Sequence, residues 1–389
     1  MSVDVSRAAD QAPDQAQVAD RDAAAEAEVH DLLLRLAGHL PDRLLNELRD
    51  RLAGGQRRQV VRGLAFEALS RPLQMEPDEI DLLRAELVAG DGDADLVAAL
   101  PELRGRRPPE PWLFVSALPR DPAQARPVVQ PLDLTGPAGE HLDPVDRAVL
   151  RELATVPGPT AVWRCWRMPA PNRPWHEPVR VVVLSMDERA QRLPELAARL
   201  RRVLADAGDP DGQVEVCKTG LDAPLYQTLA RSCGALLWAA RPAAPVRVAR
   251  AFDGVDADRG PWFAPDRPVV QDEQVRRRLL DALDAAEIIA RSEGRMVDVR
   301  EPERGAVVPL HLRTDGAWVW SEATVYYLAE HGLAPDPDLA AHLLDPSGPP
   351  PLDEVALHRV LVHLLARPGE DVVWTAGPAA DEGGADRDE

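Results

Sequence analysis

Three charged side chains stand where predicted parallel strands end. Asp187, Lys218 and Arg241 each come directly after a strand-like apolar segment. In an open α/β sheet the carboxyl ends of parallel strands border the crevice in which ligands bind. Lys218 and Arg241 there would hold a small anionic or phosphorylated substrate, with Asp187 as base or metal ligand. The competing interpretation is an ordinary set of solvated loops at a sheet edge.

A second candidate lies in residues 308–332, which predict a β-hairpin that runs into a helix. Asp315-Gly316 is the dipeptide favoured by two-residue type I′ turns, because both central residues of that turn need a positive φ. Such a turn would place Leu312 opposite Val319, so one face of the hairpin would be aliphatic and suited to a core.

The other face of the predicted hairpin would be aromatic and basic. The same register places Arg313 opposite Trp318 and His311 opposite Trp320. Trp and Arg are the residue types that dominate the energetic centres of protein interfaces, and they also form buried cation–π clusters. These four side chains are therefore the predicted binding residues for a protein partner.

Carboxylates are also concentrated in the segment FDGVDADRGPWF. Asp253, Asp256 and Asp258 fall within six residues and precede Gly260-Pro261. Three carboxylates at this spacing are a weak candidate for a divalent cation site. The favoured interpretation is that the aspartates cap turns through their own backbone, and no metal is predicted.

Signatures of well-known active sites are absent from the sequence. A strand followed by GxGxxG is not present, nor is GxxxxGK[ST] or GxSxG, so no cofactor is predicted. Lys218 is the chain's single lysine, and any mechanism that needs a lysine must use it. Cys165, Cys217 and Cys233 are scattered and have no metal-binding spacing, which fits a reducing cytoplasm.

The C-terminal portion resembles a group of actinobacterial proteins to which no activity is attached. The likeness covers roughly residues 145–345 and is carried by short phrases: Gln213–Val216, Tyr226-Gln227, Ala235–Ala240, Phe252-Asp253, Arg313–Gly316 with Trp318–Trp320, and Tyr326–Leu328. It implies a cytoplasmic bacterial protein in a housekeeping or conflict-related role. No catalytic residue is implied.

Periodicity places these residues in an α/β protein. The pattern predicts a small helical bundle, then a mostly parallel or mixed sheet flanked by helices, and then the hairpin with short helices. The boundaries are a disordered segment at 1–24, the bundle at 25–104, a proline-rich linker with a short helix at 105–158, the α/β domain at 159–376, and a disordered acidic tail at 377–389.

Charge and length limit the functional classes. The chain has 389 residues, which indicates two or more domains, and a net charge of −20. That charge argues against non-specific binding to nucleic acid or to anionic lipid. The first residues lack a secretory pattern and no apolar segment is long enough to span a membrane, so we expect a cytoplasmic protein without a membrane partner.

Two hypotheses follow from these observations. The first is a non-enzymatic interaction protein, of adaptor or immunity type, that uses the bundle and the aromatic–arginine hairpin. The second is an enzyme for a small anionic substrate at the strand ends. The first is favoured, because the residues of a contact surface are recognisable and those of a catalytic site are not.

Overall fold

The computed structural model describes residues 12–71, 73–89, 94–107, 112–118, 130–136, 142–169, 177–256, 258–348 and 351–366. The chain divides into two compact units, residues 1–243 and residues 244–389. The predicted acidic tail at 377–389 lies outside the described residues. The predicted α/β fold is confirmed, since helices predominate at the N-terminal side and mixed sheets follow.

The first unit contains helices on both sides of one sheet. Its helices are α1 (Ala12–Arg35), α2 (Asp42–Ala53), α3 (Arg57–Ser70), α4 (Pro77–Ala89), α5 (Ala94–Ala99), α6 (Pro144–Leu153), α7 (Leu193–Asp206) and α8 (Leu225–Ser232). Its strands are β1 (Trp112–Val115), β2 (Leu132–Asp133), β3 (Pro159–Pro169), β4 (Val179–Met186), β5 (Gln213–Lys218) and β6 (Ala235–Ala239).

The prediction of disorder over residues 1–24 is wrong for residues 12–24, which belong to helix α1, while residues 1–11 lie outside the described residues. The chain is helical from Ala12, because the Ala, Gln, Glu and Asp residues that lack apolar bulk include good helix formers. The apolar stripe at Val29, Leu32 and Leu33 is fully buried and anchors the same helix. An Arg57 guanidinium also hydrogen bonds to the Asp22 backbone.

The sheet of the first unit is mixed. Its strand order is β2-β6-β3-β4-β5, and β1 pairs with the far end of β3. Among the described strands of this sheet, β3 is antiparallel to β1, β4 and β6, whereas β4 is parallel to β5 and β2 is parallel to β6. Strands β4, β5 and β6 therefore run in the same direction, and their carboxyl ends lie at the same end of the sheet.

The predicted bundle and the first sheet form one unit, which differs from the predicted boundary between them. Apolar side chains of α1–α4 share a core with Cys165, Val181 and Val183 on one face of the sheet. Helices α6 and α7 cover the other face. The predicted linker supplies β1, β2 and α6, because its apolar residues complete this sheet and its cover.

Buried charges also join the bundle to the sheet. Arg49 of α2 makes two hydrogen bonds to the carboxylate of Glu215 on β5, at 2.9 and 2.6 Å, and Gln227 donates to the same carboxylate at 2.8 Å. Arg167 of β3 binds the carboxylate of Asp42 at the start of α2 in the same two-pronged way. Each pair places one ion on a helix and its partner on a strand, which fixes how the helices sit on the sheet.

Strand β5 lies at the edge of the described sheet, and side chains of the bundle cap it. His30 donates through Nε2 to the carbonyl of Val216 at 2.7 Å, and Arg49 donates to the carbonyl of Val214 at 3.2 Å. Burial lowers the pKa of His30 to about 4, against the opposing effect of its bond to Val216. The edge of β5 is therefore satisfied by helix side chains in place of a further strand.

The second unit is built from shorter elements. Its strands are β7 (Arg247–Val248), β8 (Gly254–Asp256), β9 (Gly260–Trp262), β10 (Glu287–Ala290), β11 (Arg295–Val297), β12 (Ala306–Pro309), β13 (Leu312–Thr314) and β14 (Trp318–Ser321). Its helices are α9 (Glu273–Asp284), α10 (Glu322–His331), α11 (Pro337–Leu343) and α12 (Glu354–Leu365). The main sheet has the order β10-β13-β14-β7.

Strand β10 shortens the long helix that periodicity predicts over residues 272–291. Helix α9 ends at Asp284, and residues 287–290 pair antiparallel with β13. The β-branched pair Ile288-Ile289 fits a strand, and the hairpin offers it a free edge. Local sequence is ambiguous here, and the tertiary pairing decides the structure.

The hairpin itself forms, but with a different register from the predicted one. Strands β13 and β14 pair Arg313 with Trp320 and Thr314 with Val319, so the connection is longer than two residues. The carboxylate of Asp315 accepts the amides of Ala317 and Trp318, at 3.0 and 2.8 Å. This side-chain turn replaces the predicted type I′ turn. The pairing moves by two positions, so Arg313 and Trp320 still share a face.

Candidate functional site

The two hairpin tryptophans are core residues of the second unit. Trp320 is 1% exposed and Trp318 is 6% exposed, and both pack with Leu279, Leu283 and Leu328. An indole that anchors a partner must be accessible before the partner arrives. The structure therefore contradicts the prediction that Trp318 and Trp320 together form an exposed contact face.

His311 and Arg313 are engaged with neighbours of their own unit. The Nδ1 atom of His311 accepts the amide of Ser292 at 2.9 Å. Arg313 binds Glu322 at 2.9 Å and donates to carbonyls at the end of α9, including that of Ala286. These bonds satisfy the last carbonyls of a helix and position the hairpin against it. The predicted binding face is therefore mainly a structural cluster.

One edge of Trp318 nevertheless borders an open cleft of about 530 Å³. We call it the Trp318 cleft, and its lining residues are Pro245, Arg247, Ala317, Trp318, Asp338, Ala341, His342 and Asp345. A smaller cleft of about 430 Å³ adjoins it and shares Arg247, Trp318 and Asp338. The lining combines the edge of the indole with one wall from β7 and a second, which we call the α11 wall, from helix α11 and Asp345 just beyond it.

Asp315 connects the hairpin turn to the wall of the Trp318 cleft. One of its carboxylate oxygens holds the turn amides, and the other binds Nε2 of His342 at 2.6 Å. The carboxylate can only accept, so Nε2 of His342 must carry the proton. Nδ1 then has no hydrogen bond in the part of the chain that the structure describes. The turn thus fixes the ring orientation of a histidine in the cleft.

The two arginines that line the clefts are already engaged. The guanidinium of Arg247 lies 5.4 Å from the ring centroid of Trp318, within the range of a cation–π contact. Arg250, which lines the adjoining cleft, is paired with Asp336 at 3.3 Å. Asp338 makes no ion pair within the described ranges, and Asp345 accepts the amide of Ser347 at 2.8 Å. The α11 wall is therefore acidic.

Asp187, Lys218 and Arg241, the residues of the enzyme hypothesis, follow the carboxyl ends of strands in the first sheet. Met186 pairs with Lys218, so Asp187 follows directly beside the end of β5. Arg241 follows β6, which is separated from β5 by β3 and β4. Three strand spacings amount to about 14 Å between the backbones, which is wide for one small anion. Lys218 and Arg241 are exposed, and the role of these three residues stays a prediction.

The weak metal candidates serve the backbone of their own loop. Asp253 accepts the amide of Ala264 at 2.8 Å and pairs with Arg267 at 3.0 Å. Asp256 accepts the amides of Asp258 and Arg259. These contacts match the turn-capping interpretation. Among the described residues no group of three His, Cys, Asp or Glu side chains is placed to hold a metal ion.

Sequence reasoning identified Trp318 but missed the remainder of the cleft. A signal was present, because Asp338 and His342 follow the i, i+4 spacing that places residues on one helix face, and Asp345 follows just beyond the helix end. Arg247 gave no comparable signal. It reaches the indole only because β7 pairs with β14 across about seventy residues of sequence.

Comparisons with known proteins leave the assignment to the structure itself. Neither family models, nor curated proteins, nor solved structures give a match to this chain. Within the described ranges, no helix combines the length and the apolar character that a membrane span requires.

Proposed function

We propose that this chain is a non-enzymatic cytoplasmic interaction protein, of adaptor or immunity type, and that the Trp318 cleft is its contact site for a protein partner. The observation that carries this proposal is the cleft itself. It combines the edge of a largely buried indole with side chains that carry both signs of charge. Aromatic and arginine groups beside a cavity are typical of the energetic centre of interfaces.

The rigidity of the cleft supports the same conclusion. Asp315 holds both the hairpin turn and His342, and the Arg247 guanidinium lies within cation–π range of the indole. Side chains that are already held in place lose little conformational entropy when a partner binds. The site is thus prepared for contact without a rearrangement of its walls.

Site-specific photo-crosslinking tests the proposal. Benzoylphenylalanine at Ala341, an exposed residue of the cleft, is expected to capture a discrete protein in the native host. The same group at Phe66, an aromatic residue of the first unit that is 60% exposed, is the matched control. The captured protein is then purified and its affinity for the full chain is measured.

The decisive comparison uses a variant in which the cleft is filled. Ala341→Trp is expected to weaken binding of the purified partner at least tenfold, about 1.4 kcal/mol. The far-ultraviolet circular dichroism of the variant should match the wild type. A partner that binds Ala341→Trp as tightly as the wild type would contradict the proposed site.

An enzyme for a small anionic substrate remains the second candidate. It is favoured by one observation, that β4, β5 and β6 run in the same direction and end at the edge where Asp187, Lys218 and Arg241 lie. Lys218→Met removes the chain's single lysine. Retention of an inorganic phosphate analogue by the wild type and its loss in Lys218→Met would support this candidate over the first.

A further inference from the structure

The charge of the Trp318 cleft indicates which partner chemistry it would accept. Among the residues of the two adjoining clefts, Asp336, Asp338 and Asp345 are acidic, whereas Arg247 and Arg250 are basic. A fourth carboxylate, that of Asp315, lies directly behind His342. Leaving His342 aside, the two clefts and the carboxylate behind them hold four carboxylates and two guanidinium groups, so the surplus charge is negative.

The distribution of that charge is uneven. Arg250 pairs with Asp336 at 3.3 Å, and the Arg247 guanidinium lies 5.4 Å from the ring centroid of Trp318. The surplus negative charge is therefore concentrated on the α11 wall, at Asp338 and Asp345. Asp338 lies in the first turn of α11, and Asp345 lies just beyond the end of this helix, so both carboxylates border the same side of the cleft.

We propose that the partner presents a basic side chain, arginine or lysine, to the α11 wall of the Trp318 cleft. This inference rests on the proposed interaction function and adds the chemistry of the partner. The cation would enter above the indole of Trp318 and lie between Asp338 and Asp345. The aliphatic part of an arginine or lysine side chain would contact Ala317 and Ala341, which line the same cleft.

An acidic or phosphorylated partner fits the cleft less well. It would require Arg247 to leave the Trp318 ring or Arg250 to leave Asp336, and it would approach two carboxylates that no cation neutralises within the described ranges. Like charges opposed across an interface suppress association. Arg247 and Arg250 thus each have a contact within the unit, whereas Asp338 and Asp345 make no ion pair within the described ranges.

A peptide selection tests this inference with a defined probe. Random twelve-residue peptides displayed on phage are selected for binding to the full chain. Peptides that also bind the Ala341→Trp variant are discarded. We expect the remaining peptides to share a basic residue at one position. In peptides whose shared basic residue is arginine, replacement by citrulline, which has the same shape without the charge, should lower the affinity at least tenfold.

Paired variants assign the effect to the α11 wall. The double variant Asp338→Asn with Asp345→Asn should bind the arginine peptide at least tenfold more weakly than the wild type does. Replacing the arginine by citrulline should not weaken binding to this variant further. Asparagine keeps an oxygen for the Ser347 amide, so the local turn is preserved. The control is Asp266→Asn with Asp281→Asn, which removes the same charge from exposed positions of the same unit and should change affinity less than twofold.

The outcomes separate the inference from the function on which it rests. Cleft-dependent peptides without a basic residue, or equal binding of arginine and citrulline peptides, would overturn the basic-partner inference and leave the interaction function standing. A selection that yields no peptide able to distinguish the wild type from Ala341→Trp would contradict the interaction function, and the inference with it.

Discussion

His30 gives the sharpest quantitative prediction for the first unit. Its ring is 1% exposed and donates to the carbonyl of Val216 on the edge strand β5. Burial lowers its pKa from 6.5 to about 4. Between these values the unfolded chain binds a proton that the folded chain does not. The stabilisation by neutral His30 is therefore complete above pH 6.5 and is lost progressively as the pH falls towards 4.

The size of the effect follows from the two pKa values. Linkage with an unfolded pKa of 6.5 and a folded pKa of about 4 gives a loss of about 2 kcal/mol between neutral pH and pH 5. This corresponds to a roughly thirtyfold rise in the opening equilibrium of the structure that buries His30. In His30→Gln the amide can still donate to Val216, but nothing titrates at this position.

Hydrogen exchange of the β5 peptide is the appropriate assay, because unfolding of a chain with two units need not be two-state. Exchange at pH 7 and pH 5, corrected for intrinsic rates, is compared between the wild type and His30→Gln. The wild type should show about thirtyfold more acid-induced opening than the variant. Peptides of β14 in the second unit serve as the internal control. The same pH dependence of β5 in both proteins would refute the reasoning.

Three further substitutions test the packing. Glu215→Gln leaves the buried Arg49 guanidinium without its carboxylate and should destabilise the first unit by about 3–5 kcal/mol in chemical denaturation. Trp320→Ala should cost the second unit about 3–5 kcal/mol, and a loss below about 0.5 kcal/mol would contradict a core role for this indole. Gly316→Ala should cost about 1–2 kcal/mol in thermal unfolding, because φ is +94° and a Cβ would lie 3.0 Å from Ala356 and Leu352; an unchanged melting temperature would argue against this turn geometry.

Several local features follow from sequence alone, because short-range physics determines them. Pro77 and Asp143-Pro144 mark the starts of helices α4 and α6, where proline lacks only an amide that a helix start leaves unpaired. The β-branched segment at 179–184 is strand β4. The alternation of strands and helices in residues 159–240 determined the fold class.

Other features depended on contacts between distant parts of the chain. The union of bundle and sheet is decided by buried contacts such as that of Arg49 with Glu215, which lie 166 positions apart. The hairpin register depends on the Asp315 carboxylate, which accepts hydrogen bonds from two backbone amides and from His342. These bonds replace the predicted type I′ turn. The Asp315-Gly316 dipeptide alone does not reveal which of these contacts its carboxylate makes.

The residue types of a contact site could thus be recognised in the sequence, but their exposure could not be predicted from it. A face of Trp, Arg and His has the same composition whether it meets a partner or the core of its own unit, because burial is a property of the surrounding elements. Packing placed Trp320 inside the second unit and left only the edge of Trp318 at a cleft. Strand β7 and helix α11 supplied the charged walls, since pairing and packing bring them together across about ninety residues of chain.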